Sequence, residues 1–392
     1  MNVLNPAPAL AAVVLALICA KVVTKFEPVP EAGRHAPIDG LRGFLAFFVF
    51  IHHASYWYFF VRTGTWGGIH SHLYRHLGES SVAMFFMITA FLFFSKLLDS
   101  RARPINWLQL YRARFWRLAP LYLFAMSALF IVVAIESNFT LQVPFIQLTL
   151  DGVRWLLFSI FGQPDLNGVR ATPQILAGVT WSLPYEWAFY LSLPLLGLVV
   201  RASAPAALRA ICAIAVTTIA VQLSNDFAWL SFCGGIAAAF AVRSKRVVKL
   251  AHSALGSMIA IASLMAAVIG FHSAYSRPVL PLLSITFVII ACGNSFFGLL
   301  TSGPSRVLGQ MGYSIYLLHG LVLYGILRGA IGSAALMQLN PIQYWLVIMA
   351  VIPPLIAVCA LTYRYVELPG MAVAKRLSAT GKASAGGNQQ SA

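Results

Sequence analysis

Long apolar runs of similar length, separated by short polar and often basic segments, dominate this chain. Eleven such runs lie at residues 8–23, 43–61, 80–98, 118–135, 183–200, 207–223, 227–242, 252–271, 279–300, 311–328 and 343–363. Each is close to the ~20 residues an α-helix needs to cross a hydrocarbon layer. They are too long for barrel strands and do not alternate apolar with polar. The pattern therefore predicts an all-α fold, a polytopic transmembrane helical bundle of about eleven spans. The polar pair Asn225-Asp226 marks a tight hairpin or a broken helix. Two regions do not span. Residues 137–181 form a long loop whose apolar piece, 153–161, is too short to cross, so it lies in the interface or dips back into the protein. The Ser, Gly, Gln and Ala-rich end, from 373 to 392, reads as a disordered tail behind a membrane domain at 35–372.

Composition agrees with this pattern. The 392 residues are 59% hydrophobic and only 10% charged, against roughly a quarter charged in soluble proteins. The formal net charge of +16 could suggest a nucleic-acid partner, but the distribution excludes it. With the N-terminus outside, only Arg62, Arg75, Arg154, Arg170, Arg277 and Arg328 fall outside. The other Lys and Arg residues fall inside, as the positive-inside rule requires. This orientation gives a multi-pass protein with its C-terminus in the cytoplasm and its basic loops against the lipid bilayer, and the cytoplasmic (inner) membrane is its expected location. The five cysteines lie in apolar runs with no CxxC pair, so no disulfide or metal framework is expected. His70, His72 and His76 share one loop, but their spacing matches no standard metal motif. The first apolar stretch has no preceding positive charge and reads as a membrane helix rather than a cleaved signal.

Ionisable groups within apolar runs narrow the search for chemistry. Arg114 and Arg117 lie three apart where a basic loop enters the run at 118. They share a helix face and form a guanidinium fork suited to phosphate. Coenzyme A is one cytosolic ligand of that kind. Asp39 and Arg42, also three apart, either pair at the same rim or add a third phosphate donor through Arg42. His53 lies ten residues past Gly43, about 15 Å up its helix. A neutral imidazole there can take a proton from a hydroxyl. His319 reaches a similar depth, about 12 Å, in another inside-to-outside helix. The two imidazoles could therefore share one site. Glu186 follows Trp181-Ser182-Leu183-Pro184-Tyr185 at an outer helix start, where the helix dipole favours a carboxylate. It is read as a helix-start residue, an acceptor-binding carboxylate or the partner of a histidine. Trp181 and Tyr185 can stack on sugars or serve as membrane-interface aromatics.

Six segments together resemble acyltransferase family 3, integral-membrane enzymes that O-acylate surface glycans and related exported molecules. Ile38-Asp39-Gly40-Leu41-Arg42-Gly43 with His53 is similar to the family's opening motif and membrane histidine. The stretch from Phe85 to Leu92 is similar to its next helix, with Thr89-Ala90 where Ser-Gly is usual. Tyr111 to Tyr122 carries the paired arginines, and Trp181-Ser182-Leu183 through Glu186 to Tyr190 matches a further hallmark. Leu308-Gly309 with Tyr313 to His319, and Tyr365-Val366-Glu367-Leu368-Pro369, match the closing ones. The family core has ten spans, so the helix within residues 1–34 is an addition; Leu318 and Gly370 replace a frequent Trp and a frequent Phe.

The resemblance implies O-acetyltransferase activity. On that resemblance acyl-CoA (acetyl-CoA) would be the co-substrate, with no permanently bound cofactor and no metal expected. The acceptor would be a carbohydrate or glycolipid. Arg42, Arg114 and Arg117 would bind the donor. His53, Glu186 and His319 would be catalytic, and Asp39, Trp181 and Tyr185 would bind substrate. A competing reading is an anion/proton-coupled transporter, which a basic vestibule with buried His and Glu also suits. No internal repeat supports it.

Overall fold

The computed structural model describes residues 2–29, 35–100, 105–201, 204–222 and 226–387; side chains are not described at 221 and 378–387. Arg34, Arg101 and Arg103, counted above among the inside charges, lie outside the described residues, as do residues 388–392.

Helices form wherever the apolar pattern places a span. They are α1 (Pro6–Val23), α2 (Ala36–Thr63), α3 (His72–Asp99), α4 (Trp107–Glu136), α5 (Phe145–Leu156), α6 (Leu183–Val200), α7 (Ala206–Gln222) and α8 (Asp226–Ala241). There follow α9 (Lys245–Ala251), α10 (Ala254–Gly270), α11 (Val279–Ala291), α12 (Gly303–Gln310), α13 (Gly312–Leu323), α14 (Ser333–Gln338), α15 (Pro341–Thr362) and α16 (Leu368–Gly387). Among the described residues, seven helical stretches are long and apolar enough to cross a membrane, eight if α8 and α9 count together. That pair is bent by 106°, and three further apolar helices, including α10 and α11, are shorter. The chain is an all-α, multi-pass helical bundle. Asn225 of the expected hairpin or break at Asn225-Asp226 lies outside the described residues, which resume with α8 at Asp226. Among the described residues a sharp interruption falls between α8 and the basic α9, which the hydropathy pattern alone does not reveal. Helix α16 runs through Gly387, into the stretch read from the sequence as a tail.

Local chemistry fixes the ends of these helices. Ser71 caps α3 by accepting from the Tyr74 N–H at 3.4 Å, and Asn106 caps α4 from Gln109 at 3.0 Å. Asn340 and Gln343 form a reciprocal capping box at α15. Gly64 ends α2 in the left-handed conformation, φ 70°.

The bundle closes around α2. Its Gly43 packs where a Cβ would sit 2.5 Å from the Gly309 nitrogen, and a Cβ on Gly309 would sit 1.8 Å from the Asp39 carbonyl oxygen. Only the absence of side chains lets the α2 and α12 backbones meet so closely. On α8, Gly235 makes the same kind of contact with the Met87 carbonyl of α3. α1 turns Ala12, Ala16 and Ala20 inward. Its start is tied down where Tyr74 donates to the Asn5 carbonyl (2.9 Å) and Trp345 to the Val3 carbonyl (2.8 Å).

α2 and α13 run side by side in the same direction. Gly312 lies against the Arg42 backbone at one end, and His319 against His53 further along. Beyond α13 the helix widens into a π-turn, Tyr324–Ile331.

Candidate active site

The α2–α13 pair carries three groups of polar residues in line. The first is a cationic pocket lined by Arg42, Arg114, Arg117, Thr89, Glu186, Tyr190, Tyr313 and Tyr316, with an accessible volume of about 100 Å³. Two helices supply its guanidinium groups, α2 with Arg42 and α4 with Arg114 and Arg117. Gly43 lets α2 approach α12 closely, Gly40 lets it approach the Leu300 backbone, and α4 brings Arg114 and Arg117 from one face. Arg114 lies over the Phe93 ring, 4.9 Å from its centroid, and Lys96 lies 5.4 Å from the same ring. Arg117 donates to the Met371 sulfur at 2.7 Å. Asp39 faces Arg42, His35, Arg117 and Arg306. Its main-chain oxygen also forms the close contact with Gly309, so the residue sits at the α2–α12 crossing as well as among the cations.

Two carboxylates border these cations. Glu186 Oε1 accepts from Thr89 Oγ1 (3.1 Å) and from the Tyr190 hydroxyl one turn along α6. Glu367 is fully buried, accepts from Ser314 and faces Arg117 and Arg42. Close guanidinium groups repel one another, and carboxylates nearby make their convergence tolerable.

Glu186 lies in the first turn of α6, as the sequence reading placed it, but that turn stands among the arginines. The long loop does not stop at the surface. Leu176 lies against Gly320, and the Val179 carbonyl accepts from the Tyr316 hydroxyl at 3.1 Å. Ser182 Oγ lies 2.9 Å from the same hydroxyl. The loop thus descends along α13 in 3₁₀ turns (Thr172–Leu176 and Val179–Ser182) before α6 begins. Glu186 is carried down to the arginines. Trp181 and Tyr185, read as sugar-stacking or membrane-interface aromatics, pack edge-on against Phe86, at 6.2 and 6.4 Å between ring centroids.

The second group is the histidine pair. His53 Nδ1 and His319 Nε2 are 3.0 Å apart. His319 Nδ1 lies 2.8 Å from the Ile315 carbonyl, which can only accept, so that nitrogen carries the proton. In the neutral ring Nε2 then has a lone pair and accepts from His53 Nδ1–H. This leaves His53 Nε2 as the unprotonated, basic nitrogen. His52 plays a different part. Its Nδ1 donates to the Tyr74 carbonyl (2.7 Å), and its ring fills the space over Gly78, locking α2 to α3. The Tyr316 ring, which lines the cationic pocket, is 6.4 Å from the His319 ring. Tyr316 therefore stands between pocket and histidines, and nothing in the sequence singled it out beyond its place in a matched motif.

The third group lies past His53. Trp57 and Phe60, one and two turns on, together with Tyr324 and Arg328, line a separate pocket of about 350 Å³ beneath the 137–178 loop. Sequence reasoning missed this pocket.

A comparison with protein families matches residues 36–364 to the acyltransferase family 3 model, described as an acyltransferase domain. No curated protein and no solved structure matches the chain. The match covers most of the chain and includes the arginines, both histidines and Glu186, while Glu367 lies three residues beyond its end. The residues that converge along α2 and α13 thus lie within a membrane acyltransferase domain, and the chain belongs to acyltransferase family 3.

Proposed function

We propose that the protein moves an acyl group, acetyl in the first instance, from cytosolic acyl-CoA to a hydroxyl of a surface or exported carbohydrate. The observation that carries this reading is the alignment of the cationic pocket with His53. Arg42 and His53 are eleven residues apart on α2, about three turns and about 16 Å. Phosphates held by Arg42, Arg114 and Arg117 leave a thioester arm to extend past Tyr316 toward the imidazole pair.

In the reaction, His53 Nε2 takes the proton of the acceptor hydroxyl. The oxygen attacks the thioester carbonyl, a C–O bond forms and the C–S bond breaks. The departing sulfur takes up the proton from His53, so the products are an ester and the free thiol. His319 fixes the tautomer of His53 and holds its ring. Glu186 and Glu367 set the charge balance around the arginines.

The test is transfer of label from radioactive acetyl-CoA to glycan by purified, reconstituted protein, with His53→Ala as control. Label appearing in glycan with wild type and not with H53A supports the reading. Uptake of a solute into liposomes without transfer would instead indicate a carrier.

A further inference from the structure

We infer that the pocket beneath the 137–178 loop is the acceptor site and sets acceptor specificity, an inference that rests on the acyl-transfer reading above. At about 350 Å³ the pocket falls within the size range of small-ligand sites, roughly 300–1,000 Å³. Its position follows from helix geometry. His53, Trp57 and Phe60 lie four and three residues apart on one face of α2. The opposite wall is the π-turn, which presents Tyr324 and Arg328 beyond His319. Such wide turns recur at functional sites. The pocket and the arginine site thus open from opposite ends of the same helix pair, with the imidazoles between them.

The chemistry of the walls fits a hydroxyl-rich ligand. The apolar side is aromatic, offering flat faces to the C–H face of a sugar ring. The loop contributes Gln142, Asn167, Arg170 and Gln174, planar groups that donate or accept hydrogen bonds. Glu136 accepts from the Tyr324 hydroxyl (2.7 Å) and pairs with Arg328 (3.4 Å), so one carboxylate stands against two guanidiniums. That surplus of positive charge admits an acidic substituent on the sugar.

The loop is built to hold this shape. Asn167 donates to Ser137 Oγ (2.9 Å) and to the Thr140 carbonyl (2.8 Å), and Ala171 in the pocket wall holds a left-handed φ of 58°. Backbone strain of this kind persists where surrounding structure enforces it. Trp66 links pocket and base. Its ring lies near-parallel to His53 at 6.1 Å and edge-on to Trp57 at 5.7 Å and to Phe60 at 5.3 Å. With this pocket as the acceptor site, a hydroxyl held there would pass beside this ring to His53.

The experiment uses a double variant, Arg170→Ala with Gln174→Ala. Arg170 is exposed, so the change spares the core. Cells lacking the protein are complemented with wild type or variant, and O-acyl esters on surface and lipid-linked glycans are quantified by mass spectrometry. In parallel, acetyl-CoA affinity is measured on the purified full-length proteins. The expected result is an ester level about tenfold lower or more, as loss of charged and neutral hydrogen bonds implies, with acetyl-CoA affinity unchanged. Wild-type ester levels in the variant overturn the acceptor-site assignment alone. A wild type that adds no ester to any glycan overturns the acyl-transfer reading and this inference with it. An equal fall in acetyl-CoA affinity also overturns the assignment, because the pocket would then be serving the donor.

Discussion

His319 presents its unprotonated Nε2 to His53 Nδ1 at 3.0 Å, because its own Nδ1 proton is committed to the Ile315 carbonyl at 2.8 Å. One main-chain oxygen on α13 thereby decides which nitrogen of His53 is basic. His53→Ala should lower the rate of transfer by about 10²–10⁴-fold, the usual contribution of a positioned base, with acetyl-CoA affinity retained. His319→Ala should cost less, because His53 keeps its Nε2 but loses its fixed tautomer and orientation. Single-turnover kinetics with both variants checks the order. A larger loss in H319A than in H53A would contradict it.

Donor binding should depend on the three arginines and on salt. Replacing Arg114 by Gln removes a charged hydrogen-bond donor, worth about 1.5–3 kcal/mol, and should weaken acetyl-CoA binding about tenfold or more. Raising ionic strength should narrow the gap between wild type and variant. Equilibrium binding at two salt concentrations measures this, and an unchanged affinity would remove the arginines from the donor site.

Glu186→Gln separates two roles for this residue. Glutamine retains an oxygen that can accept from Thr89 and Tyr190 but removes a negative charge beside the arginines. Acetyl-CoA, itself anionic, should bind more tightly to the variant, while the KM for acceptor stays the same. A rise in acceptor KM would instead return Glu186 to the acceptor side, where the sequence alone had suggested it.

Gly309→Ala should damage the fold. The added Cβ would lie 1.8 Å from the Asp39 carbonyl oxygen, and the obstruction is backbone that no rotamer change can clear. Overpacking of this kind costs about 1–3 kcal/mol, and forcing apart α2 and α12 would also displace Arg42. Thermal melting of the detergent-purified variant should show a lower midpoint, together with weakened donor binding.

The helices were legible because membrane spans announce themselves as apolar runs of fixed length, and each expected run contains a helix. The pairing of His53 with His319 was legible too, since counting residues from each helix start put both at similar depth. The position of Glu186 was not. Its helix was taken to begin at the outer surface, whereas the preceding 3₁₀ turns first descend along α13, held by Gly320 and Tyr316. The pocket beneath the loop was hidden for a related reason. Gln142, Asn167, Arg170 and Gln174 have no periodic spacing, and only the folded loop gathers them over Trp57. The roles of Thr89 and Tyr190 were obscured by motifs that identify helices rather than hydrogen bonds between them.

The shared face of Arg42, His53 and Phe60 makes α2 behave as a toothed gear. One residue inserted between Arg42 and His53 would rotate one against the other by about 100° and uncouple donor grip from proton transfer, though neither side chain had changed. Four inserted residues would bring the teeth nearly back into mesh but set them about 6 Å further apart. Length variation between these two positions should therefore be tolerated, if at all, in steps of whole turns.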